Sequence, residues 1–251
     1  MAAVLACAAN VTLAQTPPTT VTNTFNINQP IPQGSANGLS DTQSFDFQSE
    51  PFSSITDLQV TLNISGGFTG DYYAYLVHDG GFAVLLNRAG RTSVNSVGYT
   101  DSGLNVTLSD SSPNDIHNYQ SVLNPGGAVL TGTWAPDGRD MDPATVVETD
   151  NRTALLGSFI GADPSGQWTL YVTSLDFGEQ GKLASWGLEV KGVPEPSSVA
   201  LLIFGTVLIA ARKRFCAVRA SGEPPLRWAV RRLWISERGS WWRTVSASDG
   251  R

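Results

Sequence analysis

The sequence predicts an all-β protein, an antiparallel sandwich or jelly roll, followed by one hydrophobic helix near the C-terminus. Three observations lead to this prediction. Apolar and polar residues alternate in several short stretches, clusters of glycine, proline and aspartate separate those stretches, and no convincing helical periodicity occurs before residue 199. Many short strands with turns between them are typical of two-sheet all-β folds.

The clearest strand prediction is the stretch 58–64. Four apolar residues alternate there with polar ones, which is the period of a strand buried on one face, and Ser65-Gly66-Gly67 ends it. A stretch rich in aromatic and β-branched residues at 72–77 and an apolar stretch at 82–86 flank the turn 78–81, and together they predict a hairpin. Later strands are predicted at 128–130, 168–172 and 184–190.

The predicted body has no disulfide to stabilise it. The two cysteines, Cys7 and Cys216, lie outside the strand-rich region and should end in different compartments or different pieces. The body must therefore depend on an apolar core, which a region of this size can supply. Trp168 and Trp186 fall within strand patterns, and we expect both to pack in that core.

The body is also strongly acidic. Up to residue 191 it carries 6 lysines and arginines against 18 aspartates and glutamates, a formal charge of −12, whereas the whole chain carries −6. Such a body repels nucleic acid and anionic lipid, so we expect no nucleic-acid partner, and it favours contacts with cations. Few lysines and many small polar residues suit an extracellular β-protein.

A distinctive order of residues lies near the C-terminus. Val193-Pro194-Glu195-Pro196 precedes the uncharged stretch 199–211, which Arg212-Lys213-Arg214 closes. The prolines lack backbone donors and favour extended neighbours, so the first segment should be open to a processing enzyme. As a helix the stretch would span roughly 20 Å, less than the about 30 Å of a bilayer core. The basic cluster nevertheless favours a membrane-inserted helix over a buried core helix, because cytoplasmic flanks are basic.

This order resembles the PEP-CTERM sorting signal of bacterial envelope proteins. The resemblance implies an exosortase as partner, cleavage near Pro194-Glu195-Pro196, a membrane tether before processing, and a final place at the surface or outside the cell. Residues 1–14 suggest the remnant of a signal peptide without a basic N-terminal region, and the alternative is a short apolar helix. Residues 215–251 form an atypical basic tail, either an extended reading frame or a membrane-surface segment, that we expect to have low order.

The body resembles a second family, the P domain (P/Homo B) of proprotein convertases, over residues 52–190. The stretch 55–64 followed by Gly70-Asp71-Tyr72 is similar to the first core strand and Gly-Asp-Leu element of that family. The matching positions of the closing half are Gly166, Trp168, Leu170, Val172, Asp176, Gly178, Gly181, Leu183, Trp186 and Leu188. The segment 98–143 is more elaborate than the usual family insert. The resemblance implies a galactose-binding-like sandwich at 52–191, an extension at 15–51 that could supply a first strand, and the sorting signal at 192–214.

The sequence offers little for catalysis. Proprotein convertases carry their catalytic residues in a separate domain preceding the P domain, so the resemblance implies a non-catalytic part. A serine triad needs a base within reach of a nucleophile, yet only His78 and His117 are present and no Gly-x-Ser-x-Gly element occurs. We expect both histidines to be turn or packing residues and predict no catalytic residue. The leading interpretation is an exported, non-catalytic binding module, and the alternative is an accessory domain for a separately encoded serine-type endopeptidase.

Two acidic loops are candidate calcium sites. The sequence predicts no other cofactor. The candidates are Asp137, Asp140 and Asp142 in one loop and Asp176 and Glu179 in the other. Carboxylate oxygens are the ligands that Ca²⁺ prefers, but the order does not match the EF-hand pattern. The alternatives are a solvated acidic loop with Arg139 as internal partner in the first case and an ordinary turn in the second.

Tyrosines on a predicted strand are candidates for ligand binding. Tyr72, Tyr73 and Tyr75 alternate between the two faces of the strand 72–77, so some of them must point outward or cover an edge. A tyrosine-bearing face could stack on sugar rings, which would suit an exopolysaccharide-associated protein. The partner expected for the exported module is an exopolysaccharide or an envelope protein. The alternative is that they are ordinary strand aromatics, which are common.

Overall fold

The computed structural model describes residues 17–45, 52–194, 205–207 and 209 of the chain. Within the first of two compact units, Met1–Leu201, the described residues form a β-sandwich of one five-stranded and one four-stranded sheet, which confirms the predicted fold class. The strands are β1 (Thr19–Pro30), β2 (Leu39–Phe45), β3 (Phe52–Phe68), β4 (Tyr72–His78), β5 (Gly81–Asn87), β6 (Ser102–Ser109), β7 (Leu130–Trp134), β8 (Gly166–Ser174) and β9 (Lys182–Pro194). Short 3₁₀ helices lie at Thr69–Asp71, Ile116–Ser121 and Leu156–Phe159.

The chain passes repeatedly between the two sheets. The five-stranded sheet has the order β1-β9-β3-β6-β7, and the four-stranded sheet has the order β2-β8-β4-β5. Strand pairs are antiparallel except β6 and β7, which run parallel and place Leu104 opposite Leu130. β4 and β5 form the predicted hairpin, and Asp79-Gly80 at its tip adopts positive φ, as tight hairpin turns require.

The core lies between the sheets. The four alternating apolar residues of β3 at 58–64 are at most 2% exposed, as their period predicts. Trp168 and Trp186 are fully buried, which confirms their predicted packing. Each indole N–H has an acceptor, the Pro164 carbonyl at 3.0 Å for Trp168 and the Asp41 carboxylate at 2.7 Å for Trp186. The large aromatic surfaces are therefore buried without an unpaired donor.

The sandwich begins before the boundary predicted at residue 52. β1 pairs with β9 and β2 pairs with β8, so the segment predicted as a 15–51 extension supplies one strand to each sheet. β1 is an edge strand in which Val21, Phe25 and Ile27 pack against the core while threonines and asparagines face outward. One position of β1 that the alternation would make apolar carries a polar residue, so the sequence shows the strand period of β1 only weakly.

Two later strands also differ from the sequence prediction. No strand was predicted at 102–109, where β6 lies, and β7 begins at Leu130 rather than at residue 128. Gly103 has φ +77° at the register shift between β6 and β3, and a Cβ there would collide with the Ile64 carbonyl oxygen. Only glycine fits where the backbones of β6 and β3 approach so closely, but a glycine in the sequence suggests a turn, so the strand is not predicted.

The C-terminal predictions fall partly outside the described residues. Val193 and Pro194 end β9, where Pro194 lies opposite Phe52, and Val193 is exposed. Glu195, Pro196, the basic cluster 212–214, and the terminal segments 1–14 and 215–251 lie outside the described residues. In the second unit, Leu202–Arg251, residues 205–207 and 209 are helical, within the predicted helix 199–211. Of the helices among the described residues, none has the length and apolar character needed to cross a bilayer.

Candidate functional site: a tyrosine-lined cleft

A cleft of about 590 Å³ opens on the outer face of the four-stranded sheet. Its lining includes three tyrosines, Tyr73, Tyr75 and Tyr171, with Arg88 at one side. The volume lies within the roughly 300–1,000 Å³ typical of small-ligand sites. We call this site the tyrosine cleft.

The floor of the tyrosine cleft is formed by strand periodicity and register. In β4 the residues that alternate with the floor tyrosines, such as Tyr72, are buried in the core, so Tyr73 and Tyr75 point outward. β8 places Tyr171 directly opposite Tyr75, and the two rings stack with centroids 4.7 Å apart and planes 14° apart. Tyr73 stands edge-on to both rings, at 5.8 Å from Tyr75 and 6.4 Å from Tyr171. The prediction that some tyrosines of this strand face outward is confirmed.

The three phenol groups differ in their hydrogen bonds. The Tyr171 hydroxyl donates to the Ala36 carbonyl and accepts from the Gly38 N–H at 3.0 Å, so it holds the loop between β1 and β2 beside the cleft. Among the described residues, neither the Tyr73 nor the Tyr75 hydroxyl has a hydrogen-bond partner. Burial, with a further contribution from Asp140, raises the pKa of Tyr73 to about 12. Tyr73 is therefore a neutral phenol at physiological pH and can donate to a ligand.

The charged side of the cleft is lined by one cation, Arg88, and two carboxylates, Asp142 and Asp176. Arg88 pairs with Asp176 and also donates from Nε to the Gly70 carbonyl at 3.1 Å. Arg88 is 7% exposed and has φ 52°, a left-handed conformation that is strained for a residue with a long side chain. Asp71 lies close by. Its burial and the negative charge of Asp176 raise its pKa to about 6, although the positive charge of Arg88 acts to lower it. Residues with a strained backbone and carboxyl groups with a shifted pKa often mark functional sites.

The predicted calcium ligands do not converge. Asp137 is fully buried and pairs with Arg139 at 3.2 Å, whereas Asp140 and Asp142 are exposed. In the other loop Asp176 pairs with Arg88, and exposed Glu179 accepts from the Ser102 hydroxyl at 3.3 Å. No three His, Cys, Asp or Glu side chains are grouped as metal ligands in the part of the chain that the structure describes. Calcium binding stays a prediction, and the pairing of Arg139 within its loop is confirmed.

The part of this loop that carries Asp137 and Arg139 is not solvated, because both side chains belong to a buried charge network. Arg139 donates to Asp137 and, at 2.8 Å, to Asp115, and these three side chains are at least four-fifths buried. His117 Nδ1 lies 2.8 Å from Asp137 Oδ2, and Nε2 lies 2.9 Å from the Arg91 carbonyl oxygen. Both ring nitrogens therefore face acceptors. Burial acts to lower the pKa of His117, but the hydrogen bond and charge of Asp137 and the Arg91 carbonyl outweigh it and raise that pKa.

The other histidine packs in the core, as predicted. The His78 ring stacks on Trp168 with centroids 3.9 Å apart and planes 5° apart. Its Nδ1 lies 2.9 Å from the Gln167 carbonyl and its Nε2 lies 2.6 Å from the Asp163 carbonyl. In both histidines of the chain, each ring nitrogen is occupied by a protein acceptor, so neither ring presents a free nitrogen to a nucleophile.

Sequence reasoning found part of this site and missed the rest. The sequence points to Tyr73 and Tyr75 as candidates for ligand binding, but it gives no binding role to Tyr171 or Arg88, which also line the cleft. Tyr171 carried a usable signal, because it alternates with the buried Leu170 and Val172 of β8 and must point away from the core.

Comparison with known proteins gives no family assignment. No family model matches the chain, and no curated protein matches it. One similar solved structure is the serine protease of Aeromonas sobria in complex with the chaperone ORF2, at TM-score 0.40 and 16% identity over 72% of this chain and 28% of that one. Another is the serine protease of Aeromonas sobria, at TM-score 0.40 and 18% identity over 73% of this chain and 28% of that one. The chain thus spans less than a third of the length of either.

Proposed function

We propose that this chain is an exported, non-catalytic envelope module that binds a glycan in the tyrosine cleft. The single observation that carries the proposal is the aromatic floor, in which Tyr75 and Tyr171 stack and Tyr73 stands edge-on beside them.

The floor offers a sugar both of the contacts that it needs. The apolar face of a pyranose ring can lie on a partly exposed tyrosine ring, while its hydroxyl groups bond to polar groups at the rim. The Tyr73 and Tyr75 hydroxyls, which are without partners among the described residues, can supply such bonds. Amphipathic aromatic side chains with one apolar face and one polar end are well suited to this task.

The proposal of a binding role without catalysis is supported by the state of the histidines. His78 and His117 each use both ring nitrogens for internal hydrogen bonds, so neither is placed to act as a general base. Incubation of the purified chain with its glycan should leave the glycan length unchanged, as measured by chromatography of the products. Shortened products would contradict this part of the proposal.

Export and processing are proposed from the sorting-signal resemblance. The acidic body without cysteine, the Val193-Pro194-Glu195-Pro196 segment and the basic cluster at 212–214 support an exosortase as partner and a surface or extracellular location. Mass spectrometry of the protein from its native host tests this. We expect new ends near residue 15 and near Pro194, and an intact chain that retains Trp241 in the cytosol would contradict it.

Glycan binding is tested by affinity electrophoresis of the full chain in gels that contain the envelope polysaccharide of its host. Stacking of a nucleobase on an aromatic side chain contributes about 1–3 kcal/mol, and we expect a pyranose face on a tyrosine ring to contribute at the lower end of this range. Tyr75→Ala and Tyr171→Ala should each weaken binding about fivefold or more. Phe177→Ala is the matched control, because Phe177 is 83% exposed and does not line the cleft. Equal retardation of wild type and both tyrosine variants would contradict the proposal.

A further inference from the structure

We infer that the tyrosine cleft selects a cationic glycan, one whose sugars carry free amino groups, over neutral and acidic glycans. This inference rests on the proposed glycan binding and names the class of sugar that the site accepts. It follows from the charges around the cleft and from the faces of its tyrosines.

The cleft wall has an excess of negative charge. Asp142 and Asp176 line the cleft with Arg88, the single basic residue among its lining residues. The Arg88 guanidinium is already engaged by Asp176 and by the Gly70 carbonyl. Asp142 has no ion pair among the described residues, so its charge is uncompensated.

One oxygen of Asp142 is open to a ligand. Its Oδ1 accepts from the Ala144 N–H at 2.8 Å, which fixes the orientation of the carboxylate. Its Oδ2 has no hydrogen-bond donor in the described part of the chain. An ammonium group placed there would form a charge-assisted hydrogen bond, roughly twice as strong as a neutral one.

A second carboxylate reinforces the negative potential. Asp140 is exposed, lies near enough to Tyr73 to act on its ionisation, and forms no ion pair within the described residues. The surrounding body adds to this field, because it carries 18 acidic against 6 basic residues up to residue 191. A field of this sign raises the local concentration of cations and their association rate, and salt weakens it.

The aromatic floor favours the same ligand. An ammonium group within about 6 Å of a tyrosine ring centre is attracted by the electron-rich face of the ring. An amino sugar can therefore stack its ring on Tyr75 or Tyr171 and direct its ammonium group to Asp142. A uronic acid would place its carboxylate against Asp142 and Asp176, and a neutral sugar would leave Asp142 unpaired.

Titration calorimetry of the full chain with three oligosaccharides of equal length tests the inference. The probes are oligomers of glucosamine, N-acetylglucosamine and galacturonate, at a pH of about 5.5, where free amines are protonated and exposed aspartates ionised. We expect the glucosamine oligomer to bind about tenfold more tightly than the N-acetylated oligomer, and the galacturonate oligomer to bind more weakly than both. Asp142→Asn should abolish the preference for the glucosamine oligomer but keep binding of the N-acetylated one.

Asp79→Asn is the matched control, because Asp79 is an exposed turn residue outside the cleft and the substitution removes the same charge. It should leave the preference intact. Equal affinity for the glucosamine and N-acetylated oligomers, with both lost in Tyr75→Ala, would overturn the inference and leave the proposed glycan binding standing. Tighter binding of a lysine-rich peptide of equal charge than of the glucosamine oligomer would also overturn it. Retention of all three affinities in Tyr75→Ala would overturn the glycan site itself.

Discussion

The imidazole of His117 and the carboxylate of Asp137 form a hydrogen-bonded pair with no solvent exposure of either side chain, at 2.8 Å between Nδ1 and Oδ2. Asp137 Oδ2 also accepts from the Asn87 backbone N–H at 3.2 Å, at the end of β5. The pair therefore joins the loop 110–129 and the loop that follows β7 to the edge of the four-stranded sheet. Because the tyrosine cleft lies on the outer face of that sheet, the buried charges help to fix the loops around it.

The His117–Asp137 pair predicts that the sandwich loses stability as pH rises above the unfolded histidine value of about 6.5. The pKa of His117 is raised in the folded protein, so the contribution of the imidazolium is fully present below the unfolded value of about 6.5 and is lost as pH rises through the folded pKa. Urea unfolding at a series of pH values from slightly acidic to alkaline checks this. The wild-type free energy of unfolding should decline over the range, whereas His117→Gln should lose that part of the decline. If the free energy of unfolding of His117→Gln declined with pH in parallel with that of the wild type, the proposed role of the His117 imidazolium would be contradicted.

Replacement of Arg139 should cost much more stability than replacement of an exposed partner in an ion pair. Arg139→Met removes the buried cation that Asp137 and Asp115 share, and leaves only His117 beside Asp137 and Arg152, at 3.7 Å, beside Asp115. Breaking such a buried pair costs about 3–5 kcal/mol. Lys191→Met is the matched control, because Lys191 pairs with Asp57 at the surface, where such a pair contributes about 1 kcal/mol or less. Chemical denaturation compares the two variants. Equal losses would show that the network does not act as a buried unit.

The substitution Asp71→Asn should stabilise the protein near neutral pH. Burial raises the Asp71 pKa from 3.8 to about 6, so the folded state favours the protonated carboxyl. The stability that the protonated carboxyl contributes is fully present below about pH 4 and is lost as pH rises from about 4 to 6. Asparagine resembles the protonated form and should add about 1–3 kcal/mol to the free energy of unfolding at pH 7.5, with little gain at pH 4. Asp79→Asn in the exposed turn should change stability by less than about 0.5 kcal/mol. A loss of stability in Asp71→Asn at pH 7.5 would contradict this account.

Gly67 should not tolerate a side chain. It has φ +68°, and a Cβ there would overlap the hydroxyl of Tyr72, which is fully buried and donates to the Gly66 carbonyl at 2.6 Å. Gly67→Ala should therefore cost about 2–4 kcal/mol through backbone strain and overpacking. Gly80→Ala isolates the backbone cost, because Gly80 has φ +80° and open space around it. It should cost about 1–2 kcal/mol, measured by thermal or urea unfolding. Similar costs for both variants would contradict the predicted overlap.

The sequence predicted the strands with a clear apolar pattern, both inside the sheets, as in β3, β4, β8 and β9, and at an edge, as in β5, and it missed the interior strand β6. β3, β8 and β9 bury one face against the opposite sheet, so their apolar residues alternate visibly. The edge strand β1 needs few apolar residues, and β6 begins at a glycine that approaches β3 closely, so neither shows a strong strand period. Strand prediction therefore succeeded where apolar residues alternate regularly or form an uninterrupted run, as in β5.

The candidate site was only partly accessible from the sequence. Alternation in β4 shows that Tyr73 and Tyr75 share a face, but the stack with Tyr171 depends on the register between β4 and β8, which are far apart in the chain. The burial of Asp137 also depends on tertiary packing, because its acidic neighbours suggest a solvated loop until Arg139 and His117 are seen to enclose it.

Glycan binding at the tyrosine cleft is tested most directly by NMR of the full chain with isotope-labelled tyrosine, titrated with oligosaccharides from the envelope polysaccharide of its host. The chain has six tyrosines, which Tyr→Phe variants can assign. The account predicts shifts in the ring signals of Tyr73, Tyr75 and Tyr171, with the buried Tyr72 and Tyr119 unchanged. Unchanged signals for all three cleft tyrosines while the oligosaccharide binds would contradict it.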